Sequence, residues 1–166
     1  MGVDVAALYA EHYAALFRYV VRLTGDGDLA ADAVQETFTR LLEKPPRDDN
    51  TKAWLFTVAT NLVRSWSNSR QRRRELLDEA ATRVPTGDAP RTPEAEAGAN
   101  ELRLTVRRAL DELGEKERTI LLMREEGFSH REIADAVGTT TGSVGTMIAR
   151  ALDKLAERLP LDAGDV

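Results

Sequence analysis

The sequence predicts an all-α protein built as two small helical domains joined by a flexible linker. Apolar residues recur at three- and four-residue spacing through most of the chain, and the alternating β-branched pattern of strands is scarce. The periodicity breaks from Asp78 to Asn100, where DEAATRVPTGDAPRTPEAEAGAN holds three prolines, two glycines and almost no large apolar residue. A stretch of that composition buries too little apolar surface to offset its own ordering, so it reads as a linker. At 166 residues the chain is long enough for one ordinary domain or two small helical ones.

In chain order, VAALYAEHYAALFRYVVRL places Leu8, Ala15, Leu16, Tyr19, Val20 and Leu23 on one helical stripe, which stops at Thr24-Gly25-Asp26-Gly27. Asp28 is the expected cap of a second helix, Leu29 to Glu43. Its apolar side is Ala30, Ala33, Val34, Phe38, Leu41 and Leu42, and its other side is Asp32, Gln35, Glu36, Thr39 and Arg40. Taken alone, such a face is most simply a solvated one. Pro45-Pro46-Arg47-Asp48-Asp49-Asn50 forms a loop, because two prolines remove backbone donors and the Asp and Asn residues favour turns. Asn50 or Thr51 caps a third helix, Lys52 to about Ser69, which carries Trp54, Phe56, Ala59, Leu62, Val63 and Trp66. It runs on into the basic stretch Arg70 to Arg74. Beyond the linker, Leu102, Val106, Ala109, Leu110 and Leu113 resume the helical period, followed by Glu115 to Glu126 with Ile120, Leu121 and Met123 apolar.

The most specific local pattern is Ser129 to Leu155. Ile133, Ala134 and Val137 share a face of a short helix, Gly138 suits a left-handed stop, and the hydroxyls of Thr139 to Thr141 are placed to cap the next helix. Val144, Ile148, Ala151, Leu152 and Leu155 then recur at helical spacing, so the segment reads as a helix-turn-helix. Thr141, Ser143, Thr146 and Arg150 face outward, where a recognition helix meets a major groove.

Composition narrows the function. The chain has no Cys and two His, His12 and His130, so neither a disulfide framework nor a protein-made metal cage is expected, and no cofactor is implied. Without a nucleophile constellation or a Gly-rich phosphate loop, an enzyme is not expected. No apolar run approaches the roughly 18 residues of a membrane span, and the first residues lack a secretory pattern, which makes the cytoplasm the expected compartment and excludes a membrane partner. The formal charge of −5 argues against a nucleic-acid binder, yet the segment from Lys44 to Arg74 holds eight basic side chains against two acidic ones. Aromatic residues interleaved with bases there suit unpaired nucleotides, since rings stack on bases while cations meet phosphates. One of Trp54 and Trp66 is expected to be structural, and periodicity does not decide which.

Three blocks, DAVQETF at Asp32 to Phe38, AWLFTVATNL at Ala53 to Leu62, and LREEGFSHREIADAVG leading into the helix-turn-helix, resemble in order and spacing the bacterial sigma factors of the extracytoplasmic-function (ECF) group. The resemblance implies region 2 over residues 5–75, a linker over 76–101 and region 4 over 102–159. It implies core RNA polymerase as partner, through the β′ coiled coil and the β flap, with Asp32, Gln35, Glu36 and Arg40 on the docking face. It implies promoter DNA as the second partner. Asn50, Lys52, Trp54, Asn61, Arg64 and Trp66 would open and capture the minus-ten element, and Arg131, Thr141, Ser143, Thr146 and Arg150 would read the minus-thirty-five duplex. An anti-sigma factor is the third implied partner.

Several positions depart from the family pattern. Where members commonly write GTVKSR, this chain has Gly142-Ser143-Val144-Gly145-Thr146-Met147, so the usual Lys and Arg are replaced by Gly145 and Met147. Thr57 and Thr60 stand where Arg is common. A stand-alone helix-turn-helix regulator is the first alternative, and it leaves Asp32 to Phe38 and the aromatic-basic third helix without a role. A polymerase-binding adaptor with decayed DNA reading is the second.

Overall fold

Helices start and stop in this chain where short polar residues or glycines interrupt an apolar stripe. In the computed structural model, which describes residues 2–77 and 93–159, α1 (Val5–Thr24) begins where the Asp4 carboxylate accepts the Ala7 N–H at 3.1 Å. It ends at Gly25, whose φ of 70° lets its N–H reach the Val21 carbonyl at 2.7 Å. The second helix, α2 (Gly27–Glu43), is capped by Asp26 rather than by Asp28. Asp26 Oδ1 accepts from the N–H groups of both Asp28 and Leu29 at 3.0 Å, which leaves Asp28 in the first turn, where its charge favours the helix N-terminus. Asn50 Oδ1 accepts the Ala53 N–H at 3.3 Å at the head of α3 (Thr51–Leu77), which continues well past Ser69.

The chain divides into two compact units, Met1–Thr86 and Gly87–Val166. In the first, α1 and α2 form a hairpin against α3, with Leu16, Tyr19, Val20, Ala33, Val34, Leu41, Leu55, Phe56 and Ala59 at its centre. Leu42, expected on the apolar side of α2, is instead 66% exposed, because it follows Leu41 around the helix and lies beyond the reach of α1 and α3. Thr60 is an interior residue: its hydroxyl donates to the Phe56 carbonyl at 2.7 Å and lies 2.7 Å from the Tyr19 hydroxyl, which is therefore the donor of that pair. Position 60 is thus a core position here, not a lost cation on a DNA face. Thr60→Val keeps the shape and removes the acceptor of a buried phenol, so the expected loss is about 1–3 kcal/mol, measured as a lower urea midpoint at unchanged slope.

The second unit opens with α4 (Pro93–Asp111), which starts nearer the N-terminus than Leu102. Proline is favoured at the first helical position, and an alanine-rich sequence sustains a helix without large apolar residues. Residues 78–92 of the expected linker and the tail from Pro160 lie outside the described residues. Leu102 is 64% exposed, and close packing of α4 begins only at Val106, Ala109 and Leu110. The carbonyls at the end of α4 are held by one side chain. Arg118 Nε donates to Leu110 O at 2.9 Å, and its Nη2 donates to Asp111 O at 3.4 Å and to Leu113 O, just past the helix, at 3.2 Å.

Helix α5 (Glu115–Glu125) buries Ile120, Leu122 and Met123, while Leu121, read as part of its apolar side, is only half-buried. Glu117 links this helix to α7 (Thr141–Arg158): its Oε2 accepts the Gly114 N–H at 3.3 Å and its Oε1 receives Lys154 Nζ at 2.6 Å. The Lys154 hydrogen bond, helped by the Gly114 N–H and the nearby Lys154 and Arg150 charges, holds the Glu117 carboxyl below its ordinary 4.5 against the opposing effect of burial. A carboxylate depressed in the folded state stabilises the fold above its ordinary pKa, and that contribution is lost as the pH falls through the folded value. Glu117→Gln should therefore cost about 0.2–1 kcal/mol near neutrality, the range of exposed pairs, and flatten the loss of stability below about pH 4.5. Urea titrations at pH 7 and pH 3 check both arms.

The helix-turn-helix is α6 (His130–Val137) followed by α7. Ser129 and Glu132 cap α6 reciprocally, with Ser129 Oγ accepting the Glu132 N–H at 3.2 Å and Glu132 Oε2 accepting the Ser129 N–H at 2.7 Å. Gly138, at φ 70°, makes the turn. Thr140 is the N-cap of α7 by conformation, but its hydroxyl meets Ser143 Oγ at 2.7 Å instead of a backbone N–H. Ile133, Ala134, Val137, Val144, Ile148 and Ala151 are buried between the helices, whereas Leu152 is 48% exposed.

Candidate polymerase- and promoter-binding surfaces

A helix buried along one stripe must present the opposite stripe, and on α2 that stripe is polar. Ala33, Val34, Thr37, Phe38 and Leu41 are buried, while Asp32, Gln35, Thr39 and Arg40 are exposed and Glu36 is half-buried. Glu36 Oε1 and Arg40 Nε pair at 3.1 Å, one helical turn apart, with both side chains still substantially exposed. All four predicted docking residues are thus outward on one helix. Leu42, two turns beyond Gln35 and on nearly the same side, adds an exposed apolar spot to this face.

The predicted single-strand residues do not form one cluster. Trp54 is half-buried on the side of α3 away from Leu55, Phe56 and Ala59, where it lines an open hollow with Val58, Pro46 and three cations, Arg40, Lys44 and Arg47. Asn61, two turns on from Trp54, is exposed. Trp66 lies about 18 Å further along the helix axis, turned by about 120°, on the side of Leu62 and Val63. Lys52 Nζ stands 5.9 Å from the centre of the Phe56 ring, at the core-facing edge of α3, and Arg64 is half-buried on a third side. Asn50 is committed in part to capping α3. The loop cations Lys44 and Arg47 join the predicted residues at this hollow, and their one sequence signal is a two-proline loop shortly ahead of an aromatic. Of the basic stretch after Ser69, Arg72 is exposed, and the side chains of Arg70, Arg73 and Arg74 lie outside the described residues.

On the helix-turn-helix, Arg131, Thr141, Thr146 and Arg150 are exposed and Ser143 is half-buried, its hydroxyl engaged by Thr140. Met147 is half-buried, which places it beside the core rather than at the outward face. Gly142 and Gly145 are exposed. Among the described residues no group of acidic and histidine side chains could hold a metal ion, and no helix is long and apolar enough to cross a membrane.

Two helical units, one with an aromatic-basic hollow behind a polar helix and the other a helix-turn-helix, match known families in the same order. Residues 8–73 match the family model described as Sigma-70 region 2, and residues 103–155 match that described as Sigma-70, region 4. The chain is a sigma-70 family protein, a non-catalytic factor that initiates transcription with RNA polymerase. It is 34% identical over 154 residues to the ECF RNA polymerase sigma factor SigL of Mycobacterium tuberculosis, covering 90% of this chain and 85% of that protein. It is 32% identical over 151 residues to the ECF RNA polymerase sigma factor EcfG of Rhodopseudomonas palustris, covering 89% and 80% respectively. Among solved structures, it is similar to the sigma factor RpoE of Bartonella quintana in complex with the anti-sigma factor NepR, with a TM-score of 0.74 at 25% identity over 96% of this chain and 98% of that one. The chain belongs to the ECF group of RNA polymerase sigma factors.

Proposed function

We propose that the chain docks on core RNA polymerase through the outward face of α2, opens promoter DNA over the α3 hollow and reads the upstream duplex with α7. Asp32, Gln35, Glu36 and Arg40 meet the β′ coiled coil, and Gly87–Val166 carries the unit that meets the β flap and the minus-thirty-five element. The work is done in the cytoplasm, where the polymerase is. An anti-sigma factor is a further partner, a reading supported by the complex in which the Bartonella quintana relative was solved.

The observation that carries the promoter-opening role is the hollow that Trp54 lines together with three cations, Arg40, Lys44 and Arg47, and one carboxylate, Glu43. An unpaired base released from its stack needs a ring or apolar wall to replace its neighbours and cations to hold its phosphates, and this hollow supplies both. Asn61 lies on the same side of α3 two turns on, whereas Lys52 and Trp66 lie on other sides of the helix. The test is reconstitution: the chain mixed with bacterial core polymerase should co-elute as a holoenzyme and give run-off transcripts from selected promoters. A stable homodimer that ignores the polymerase and binds a palindrome would instead establish the stand-alone regulator.

A further inference from the structure

The recognition helix carries two glycines that its own fold does not require. Gly142 and Gly145 lie within α7, and neither has the positive φ that distinguishes Gly25, Gly127 and Gly138. A Cβ added at Gly142 would meet nothing within 4 Å, and one added at Gly145 would meet His130 Cε1 at an ordinary 3.7 Å. Each glycine weakens the helix relative to alanine with no turn or close packing in return. What remains is the space outside the helix.

That outward face is also short and, as far as Ala149, uncharged. At helical spacing the row opposite the buried Val144, Ile148 and Ala151 is Gly142, Thr146 and Ala149, flanked by Gly145 on one side and Arg150 on the other, and all five are exposed. No side chain of this row through Ala149 is longer than threonine, and the first cation on the helix is Arg150. The cations further along are engaged inward, Lys154 with Glu117 and Arg158 with Glu112. A guanine edge is read by long bidentate donors such as Arg or Lys, of which this face offers Arg150 at one edge and none in its first two turns, whereas the thymine methyl is read by apolar contact from Ala or a Thr methyl.

We propose that α7 reads its promoter duplex chiefly through thymine methyl groups, with Thr146 and Ala149 supplying the contacts and Gly142 and Gly145 letting the helix backbone close on the groove floor. This rests on the reading of α7 as the upstream recognition helix and names how that helix discriminates. The vacated Lys and Arg positions are then not decay but the condition for a closer approach.

The experiment uses the holoenzyme formed with core polymerase and duplexes randomised over the upstream element. The sequence it selects should be rich in A·T pairs where α7 docks. Resynthesis of that sequence with uracil for thymine, which removes only the methyl, should lower affinity about fourfold for each contacted position. Thr146→Ser, which keeps the hydroxyl and deletes the methyl, should lose about the same and become insensitive to uracil at one position. The double variant Gly142→Ala, Gly145→Ala should melt at a higher temperature while binding the selected duplex at least tenfold more weakly. That opposition separates a docking role from a structural one. Unchanged affinity on uracil substitution, a selected G·C-rich element, or an alanine variant that binds as well as it folds would each overturn the proposal. If downstream selection and transcription persist with no upstream preference, methyl reading fails while the sigma function stands; if no holoenzyme forms, the underlying reading fails and this inference with it.

Discussion

Gln35→Ala combined with Glu36→Ala is expected to abolish co-elution with core RNA polymerase at concentrations where the unaltered chain co-elutes. Gln35 is exposed, Glu36 is half-exposed, and the residues that hold α2 in the bundle, Val34, Thr37, Phe38 and Leu41, are untouched. Alanine is also a better helix former than either, so the circular dichroism spectrum should not change. Losing the 3.1 Å pair with Arg40 costs the free protein only about 0.3–0.5 kcal/mol. Two central interface residues truncated at about 1–2 kcal/mol each lower affinity by about thirtyfold to a thousandfold. Leu42→Ser, at the apolar edge of the same face, should give a smaller loss in the same assay. Undiminished co-elution of the double variant would move the docking surface off α2.

Trp54→Ala is expected to slow promoter opening by about five- to 150-fold, the loss of one base-stacking platform, while leaving polymerase binding intact. The effect should largely disappear on a template whose minus-ten region is already mismatched, because the energy of unpairing no longer has to be recovered. Trp54 lines the hollow on the side of α3 away from the core, so its removal should destabilise the fold by less than the about 3–5 kcal/mol typical of a core tryptophan. Trp66→Ala is the matched comparison, with a larger shift of the urea midpoint and a smaller effect on opening. Permanganate footprinting of unpaired thymines separates the two. Equal opening defects on the duplex and on the mismatched template would place Trp54 in polymerase docking instead.

Much of this was legible because local chemistry and tertiary packing agree. Gly138 stops α6 in the left-handed conformation expected of it, and Ile133, Ala134, Val137, Val144 and Ile148 are buried as their spacing required. The misses fall where periodicity is a poor guide. Leu42 and Leu152 are exposed because they are turned away from the buried stripe of their helices, and Leu102 because it lies on the stripe ahead of where α4 begins to pack. The early start of α4 was hidden by its alanine-rich first turns, which make helix without making core. The pairing of Ser129 with Glu132 was readable as a capping box, whereas the closure of α4 by Arg118, through contacts across a turn, was not.

The sequence by itself determined an all-helical chain, the helix-turn-helix and the three blocks that identify the ECF group, because helix periods, caps and motif spacing are local along the chain. Tertiary structure alone decided which of two tryptophans lines a hollow with the loop cations, that Thr60 closes a buried hydrogen bond with Tyr19, and that Gly142 and Gly145 have room for a side chain. Each of these depends on the azimuth of a residue relative to helices distant in sequence. A single helix fixes the angles between its own residues, but only packing chooses which direction is inward.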